Sequence, residues 1–152
     1  AVDPWFIVAT APETSNLIRT AREVNDGKPV WVVRKITEAT ERFDNQPTIA
    51  LLGLAFKPDI DDLRESPALE IAEQIADRFP QSTILAVEPN ISELPHALAA
   101  AGNVSLAEIN RAVDEADVVV LLVDHKEFLG LDLQNTSSPK KRRVIDTRGI
   151  WS

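Results

Sequence analysis

The sequence predicts an α/β domain, a Rossmann-like doubly wound parallel sheet of about five strands preceded by a helical segment. Two observations carry that expectation. From position 48 onward, apolar runs of strand length alternate with stretches of helical period, the pattern of parallel strands joined by right-handed helical crossovers. The run 118–123 is apolar at every position, which suits a strand covered on both faces and not one with a wet side.

The chain opens on Ala1-Val2-Asp3-Pro4-Trp5-Phe6-Ile7-Val8-Ala9, a bulky apolar cluster that needs a surface to bury against and reads as the cut edge of a longer protein. From 12 to about 41 the period is helical, with Leu17, Ala21 and Val24 on one face and Val30, Val33, Ile36 and Ala39 continuing it. Gly27-Lys28-Pro29 interrupts this segment and predicts a kink or break, because proline removes a helical donor and crowds the preceding turn. The first strand spans 49–56. Ser66-Pro67 then supplies an N-cap and a first-turn proline for a helix carrying Ile71, Ile75 and Phe79 on one face. The second strand, 83–87, ends at Glu88-Pro89-Asn90. A short helix over 94–101, a minimal strand at 104–106 and a helix over 108–116 follow. The fourth strand, 118–123, ends at Asp124-His125-Lys126, and a polar loop leads to the last, 143–146, with Thr147-Arg148-Gly149 at its C-terminal end.

With 152 residues and 44% hydrophobic content the chain suits one globular domain with a real core. Its formal net charge of −8 opposes non-specific encounter with nucleic acid or an anionic membrane, so any anionic ligand must be held by local cations. There is no cysteine, hence no disulfide and no thiol nucleophile within these residues. The longest apolar run is too short to span a bilayer and no targeting signal opens the chain, so a cytoplasmic location is expected. The basic run at 139–143 leads straight into an apolar strand and reads as a solvated loop, and Trp5, Trp31 and Trp151 read as packing residues.

In a doubly wound sheet ligands bind outside the carboxyl ends of the strands. Three polar groups fall there: the run 53–67 after strand one, Asp124-His125 after strand four and Arg148 after strand five. There is no Gly-x-Gly-x-x-Gly after the first strand, so the dinucleotide fingerprint is missing where a cofactor-binding sheet carries it. Two readings of the run 53–67 stand. Lys57 and Arg64, with Arg148, can neutralise a diphosphate; alternatively Lys57 and Arg64 pair with Asp59, Asp61, Asp62 or Glu65 on a solvated loop. The aspartates lack the glycine and terminal glutamate of a calcium loop, and no metal is expected. His125 can be read as a base at the sheet's edge, with Asp124 a capping group; His96 reads as a surface residue.

The run Gly53-Leu54-Ala55-Phe56-Lys57-Pro58-Asp59-x-Asp61-Asp62-x-Arg64-Glu65-Ser66-Pro67 resembles the hallmark of the UDP-glucose/GDP-mannose dehydrogenase family. The flanking segments Val2-Asp3-Pro4-Trp5-Phe6, Ala21-Arg22-Glu23-Val24-Asn25-Asp26, Val87-Glu88-Pro89-Asn90 and Leu122-Val123-Asp124-His125 most resemble its bacterial branch acting on UDP-N-acetyl-D-mannosamine. The resemblance implies that 1–47 is part of a central helical dimerisation segment and 48–152 the C-terminal UDP-binding domain of an NAD-dependent, homodimeric enzyme of polysaccharide precursor synthesis. Such enzymes oxidise the sugar C6 alcohol to a carboxylate in two steps through a cysteine thiohemiacetal. By the same resemblance the cysteine lies upstream of Ala1, so no catalytic residue is expected here and the chain alone is expected to be inactive. The resemblance further implies that Phe56 and Lys57 contact the UDP-sugar, that Arg148 contacts substrate across the dimer and that Arg64 reaches NAD. A UDP-glucose or UDP-N-acetylglucosamine enzyme and a non-catalytic UDP-binding or dimerisation module are the alternatives.

Overall fold

The computed structural model of the protein describes residues 16–151. The apolar opening with Trp5, and the first residues of the predicted helix, lie outside the described residues. Helix α1 (Asn16–Thr40) passes unbroken through Gly27-Lys28-Pro29, so the predicted break is absent. Gly27, Lys28 and Val30 are exposed around the proline, which lets water take the place of the amide donor that Pro29 lacks. The predicted apolar face also needs correction. Val24 and Val30 are 71% and 68% exposed, Ala21 is exposed too, and burial begins at Val32, Val33 and Ile36.

The remaining elements are β1 (Ile49–Leu52), α2 (Pro67–Arg78), β2 (Ile84–Val87), α3 (His96–Ala101), β3 (Val104–Leu106), α4 (Ile109–Glu115), β4 (Val118–Leu121), a 3-10 turn (Lys126–Phe128) and β5 (Arg143–Asp146). The strands form one five-stranded sheet in the order β3-β2-β1-β4-β5. Every pairing is parallel. The order reverses at β1 and β4, which is where a doubly wound sheet opens its crevice. Register then brings the strand ends level: Leu52 sits beside Val87 on one side and Leu121 on the other, and Leu121 beside Asp146.

Alternate residues of the central strands feed two cores. Ile49, Leu51, Ile84, Ala86, Val118 and Val120 pack under α1 and α2 with Val32, Val33, Ile36, Ala72 and Ile75. Ala50, Leu52, Leu85, Val87, Val119 and Leu121 pack on the other face with Ala112, Ala116 and Phe128. All positions of β1, β2 and β4 are buried, as the unbroken apolar run predicts. Trp151 joins the second core and donates its indole N–H to the Phe128 carbonyl at 2.8 Å. Trp31, expected to pack, is 43% exposed in the single chain, with the Lys35 ammonium 5.7 Å from its ring.

Strands β1 and β4 are shorter than their apolar runs. Gly53 turns the chain at φ +96 and donates to the Val87 carbonyl at 2.8 Å. The Leu52 carbonyl meanwhile accepts from both Leu122 and Val123, at 2.9 and 3.2 Å, which ends regular pairing. Leu54, Ala55, Leu122 and Val123 remain buried beyond the strands, which is why the runs read as longer strands.

Candidate functional site

The crevice at the end of β1 is closed by contact. A Cβ added to Gly53 would stand 2.5 Å from the Val123 Cβ and 2.9 Å from its amide nitrogen, so the two loops meet backbone to backbone. After Gly53 the amides of Leu54 and Ala55 point to an anion, as the first turn of a dinucleotide-binding sheet does. Here the anion is internal. Oε2 of Glu88, directly after β2, accepts from Leu54 N–H at 2.8 Å and Ala55 N–H at 3.1 Å. Dinucleotide-binding sheets place an acidic residue about 20 residues beyond their glycine loop to hold a ribose hydroxyl; Glu88, after the second strand here, is turned inward.

His125 completes the arrangement. Its Nε2 lies 2.8 Å from Glu88 Oε2, both side chains fully buried, and its Nδ1 accepts the Asp59 backbone N–H at 2.8 Å. An acceptor at Nδ1 places the proton on Nε2, which donates to the carboxylate. Asn90 closes the other side, donating its amide and side-chain nitrogens to Glu88 Oε1 at 3.1 and 3.0 Å. Burial works against the Glu88 charge, but the His125 donor and the Leu54 and Asn90 amides outweigh it and lower its pKa to about 2. His125 is therefore a buried partner and not the solvent-facing base that the sequence allowed. His96 is on the surface as expected.

The loop 53–66 is held at further points. Ser66 donates its hydroxyl to the Leu54 carbonyl at 2.7 Å and accepts the Leu69 amide at 3.3 Å, which makes it the N-cap of α2, followed by Pro67 as predicted. Phe56 N–H donates to the Asp62 carbonyl at 2.8 Å. Asp59 and Glu65 both have positive φ, 61 and 56, a conformation that non-glycine residues keep only where surroundings enforce it. Asp59 Oδ1 accepts the Lys126 amide at 2.9 Å.

The predicted site residues differ in what they do with their charge. Arg64 forks onto Asp62, Nε to Oδ1 and Nη2 to Oδ2 at 3.0 Å each, with 89% of its side chain exposed. This is the solvated pair that one of the two readings anticipated, and the Arg64 side chain, then its backbone amide, hold the Asp62 pKa at about 2. Lys57 is exposed and has no carboxylate partner among the described residues; its ammonium lies 5.8 Å from the centre of the 39%-exposed Phe56 ring. Arg148 donates Nε to Asp124 Oδ1 at 2.9 Å, leaving its terminal nitrogens uncommitted among the described residues. The turn carrying it is built by Asp146, which accepts the Arg148, Gly149 and Trp151 amides. Segment 123–126 thus has the Lys57 loop tied to it through His125 and Lys126, and Arg148 through Asp124. Among the described residues no trio of acidic or histidine side chains is spaced to hold a cation. A groove between α2 and α3, lined by Glu73, Ala76, Asp77, Pro80, Ala97 and Leu98 among others, offers an anionic ligand no cation. No helix among the described residues is long and apolar enough to cross a membrane.

Sequence reasoning singled out the loop and passed over Glu88 and Asn90. The available signal was an acidic residue and a proline directly after a fully apolar strand, at the sheet's carboxyl edge.

The family model described as "UDP-glucose/GDP-mannose dehydrogenase family, UDP binding domain" matches residues 50–152. The chain belongs to this family. An NDP-N-acetyl-D-galactosaminuronic acid dehydrogenase of Ralstonia nicotianae is 53% identical over 152 residues, covering 100% of this chain and 34% of the relative. A UDP-N-acetyl-D-mannosamine dehydrogenase of Salmonella typhi is 50% identical over 158 residues, covering 99% and 36%. The chain therefore spans about a third of the length of these dehydrogenases. Among solved structures, a UDP-N-acetyl-mannosamine dehydrogenase from S. aureus superposes with a TM-score of 0.66 at 30% identity, over 99% of this chain and 37% of that one. A GDP-mannose dehydrogenase from Pseudomonas aeruginosa shares the fold, with a TM-score of 0.69 at 21% identity over 95% of this chain and 33% of that one. The resemblance to the mannosamine branch is matched by an equal likeness to the galactosaminuronic acid branch.

Proposed function

We propose that this chain is the nucleotide-sugar-holding C-terminal part of a cytoplasmic, NAD-dependent UDP-N-acetyl-D-mannosamine 6-dehydrogenase. The observation that carries the reading is Lys57, an ammonium with no carboxylate partner among the described residues, on a loop clamped at the sheet's carboxyl edge within the family's UDP-binding match. In this reading Lys57 neutralises the diphosphate of the UDP-sugar and the exposed Phe56 ring lies against the same ligand. Arg148, oriented by Asp124, adds a second cation toward substrate bound by the partner subunit of a homodimer. The exposed Val24, Val30 and Trp31 of α1 fit a subunit interface, with 1–47 as part of the dimerisation segment and 48–152 as the UDP-binding domain.

In the reaction proposed for the whole enzyme, two equivalents of NAD would supply the hydride acceptors and one water the second oxygen for oxidation of the C6 alcohol to a carboxylate. The first turn of this sheet does not suit its diphosphate, because Glu88 already takes the Leu54 and Ala55 amides. The residue here that fits the cofactor is Arg64, exposed on the loop with Nη1 uncommitted among the described residues. The bond-making groups belong to other segments of the enzyme.

Lys57→Ala in the full-length protein should raise the KM for UDP-sugar about ten- to hundredfold, the equivalent of one charge-assisted hydrogen bond of about 1.5–3 kcal/mol. An unchanged KM and kcat would remove Lys57 from the site. The 53%-identical galactosaminuronic acid relative favours a second sugar, and kcat/KM for UDP-N-acetylmannosamine against UDP-N-acetylgalactosamine decides between them. Absence of any NAD reduction with either, alongside tight UDP binding by calorimetry, would favour a non-catalytic UDP-binding module.

A further inference from the structure

The buried pair of Glu88 and His125 does more than fill the sheet's edge. Glu88 fixes the loop's first amides, Leu54 and Ala55, while His125 fixes the amide of Asp59, just past Lys57. The two holds are coupled, because one Glu88 oxygen, Oε2, accepts both the loop amides and the imidazole N–H. Asp59 in turn returns its carboxylate to the Lys126 amide at 2.9 Å. Phe56 and Lys57 therefore lie on a short bridge between two anchored points. The bridge carries a left-handed residue, Asp59, at one anchor, a conformation that an unanchored aspartate would leave readily. Neither Glu88 nor His125 has solvent-exposed side-chain surface, so neither is placed to touch a ligand directly.

We propose that His125 is a positioning residue for nucleotide-sugar binding: through Nε2–H to Glu88 and Nδ1 from the Asp59 amide, it holds the 56–59 segment where Lys57 meets the diphosphate. The inference rests on the reading of Lys57 as the diphosphate cation. It assigns the buried histidine a part in affinity and none in the oxidation itself. Preorganisation is the physical content: a lysine on a loose loop must be ordered when the ligand arrives, and that cost is deducted from binding.

The test is a double-mutant cycle in the full-length protein, read as the UDP dissociation constant by calorimetry and as KM and kcat with UDP-sugar. His125→Phe keeps an aromatic ring, larger than the imidazole, and removes both hydrogen bonds; Asp59→Gly, compatible with the left-handed backbone, removes the carboxylate hold and leaves the buried pair intact. If His125→Phe does not fold, His125→Gln takes its place, a smaller change whose side-chain amide can keep the donor to Glu88 and lose the acceptor for the Asp59 amide. Each is expected to weaken UDP binding and raise KM about fivefold or more with kcat within twofold. Combining either with Lys57→Ala should add less than twofold to the effect of Lys57→Ala alone, because a displaced lysine has little left to lose. A merely structural role predicts multiplicative losses. Full additivity, with Lys57→Ala itself effective, overturns the positioning role and leaves the proposed function standing. A Lys57→Ala protein with unchanged UDP affinity overturns the underlying reading and this inference with it.

Discussion

Replacing Gly53 by alanine tests the tight contact between the β1 and β4 loops. Its φ of +96 is one that L side chains rarely adopt, and holding alanine there costs about 1–3 kcal/mol. The new methyl would also stand 2.5 Å from the Val123 Cβ, 2.9 Å from its nitrogen and 3.0 Å from its Cα. Two of those atoms are backbone, so no rotamer change relieves the overlap, and overpacking of this kind adds about 1–3 kcal/mol. The expected destabilisation is about 2–6 kcal/mol, which moves a urea midpoint by about 1–3 M for an m-value of about 2 kcal/mol/M. Gly102→Ala is the control. Gly102 shares the positive φ, +80, but nothing lies within 4 Å of its added Cβ, so it reports the backbone cost alone. Urea unfolding of both variants, followed by tryptophan fluorescence, isolates the contact as the difference between them. If Gly53→Ala loses no more than Gly102→Ala, the close packing of the β1 and β4 loops does not constrain residue 53 and the argument fails.

Glu88 makes the fold acid-sensitive in a defined window. Its folded-state pKa is lowered from 4.5 to about 2, so its contribution is complete above pH 4.5 and vanishes as pH falls through 2, a span worth about 3 kcal/mol. Glu88→Gln should flatten stability between those pH values relative to wild type; an unchanged acid limb in chemical unfolding would mean that the carboxylate is not held as described. Ser66→Ala removes the cap of α2 and the hydroxyl donor to the Leu54 carbonyl, and should cost about 1–2 kcal/mol, with Ser66→Thr recovering part of it in a thermal melt. Asp124→Ala releases Arg148 from its 2.9 Å partner and should raise the KM for UDP-sugar several-fold with little change in the melting temperature, the Asp124–Arg148 pair being partly exposed.

The sheet was legible because its central strands are buried on both faces and so are written as unbroken apolar runs, and the cap of α2 because Ser66-Pro67 is a local signal. What eluded the sequence depends on partners distant along the chain. Glu88 reads as a strand-end acid until the register that sets Leu52 beside Val87 brings it to the Leu54 amide, 34 residues away in sequence. His125 looked like a base because its partner could not be seen. A break in helix α1 was expected for the opposite reason: Pro29 is a strong local signal, and solvent around it, with packing of Val32, Val33 and Ile36 beyond it, lets the helix continue. The split between Lys57 and Arg64 was equally invisible, since several aspartates were equivalent candidates until the backbone placed Asp62 under the Arg64 fork.

A loop that leaves one strand and is tied to the ends of two others is not a freely exchangeable cassette. Transplanting 53–66 from a homologue would carry new side chains onto anchors that belong to residues 88, 90 and 125. Any recipient with a shorter acid at 88 or without the imidazole at 125 would receive the right letters in a slack frame. Exchanges of the loop therefore have to move as a discontinuous set, loop and anchors together, although Glu88 and His125 expose no side-chain surface of their own.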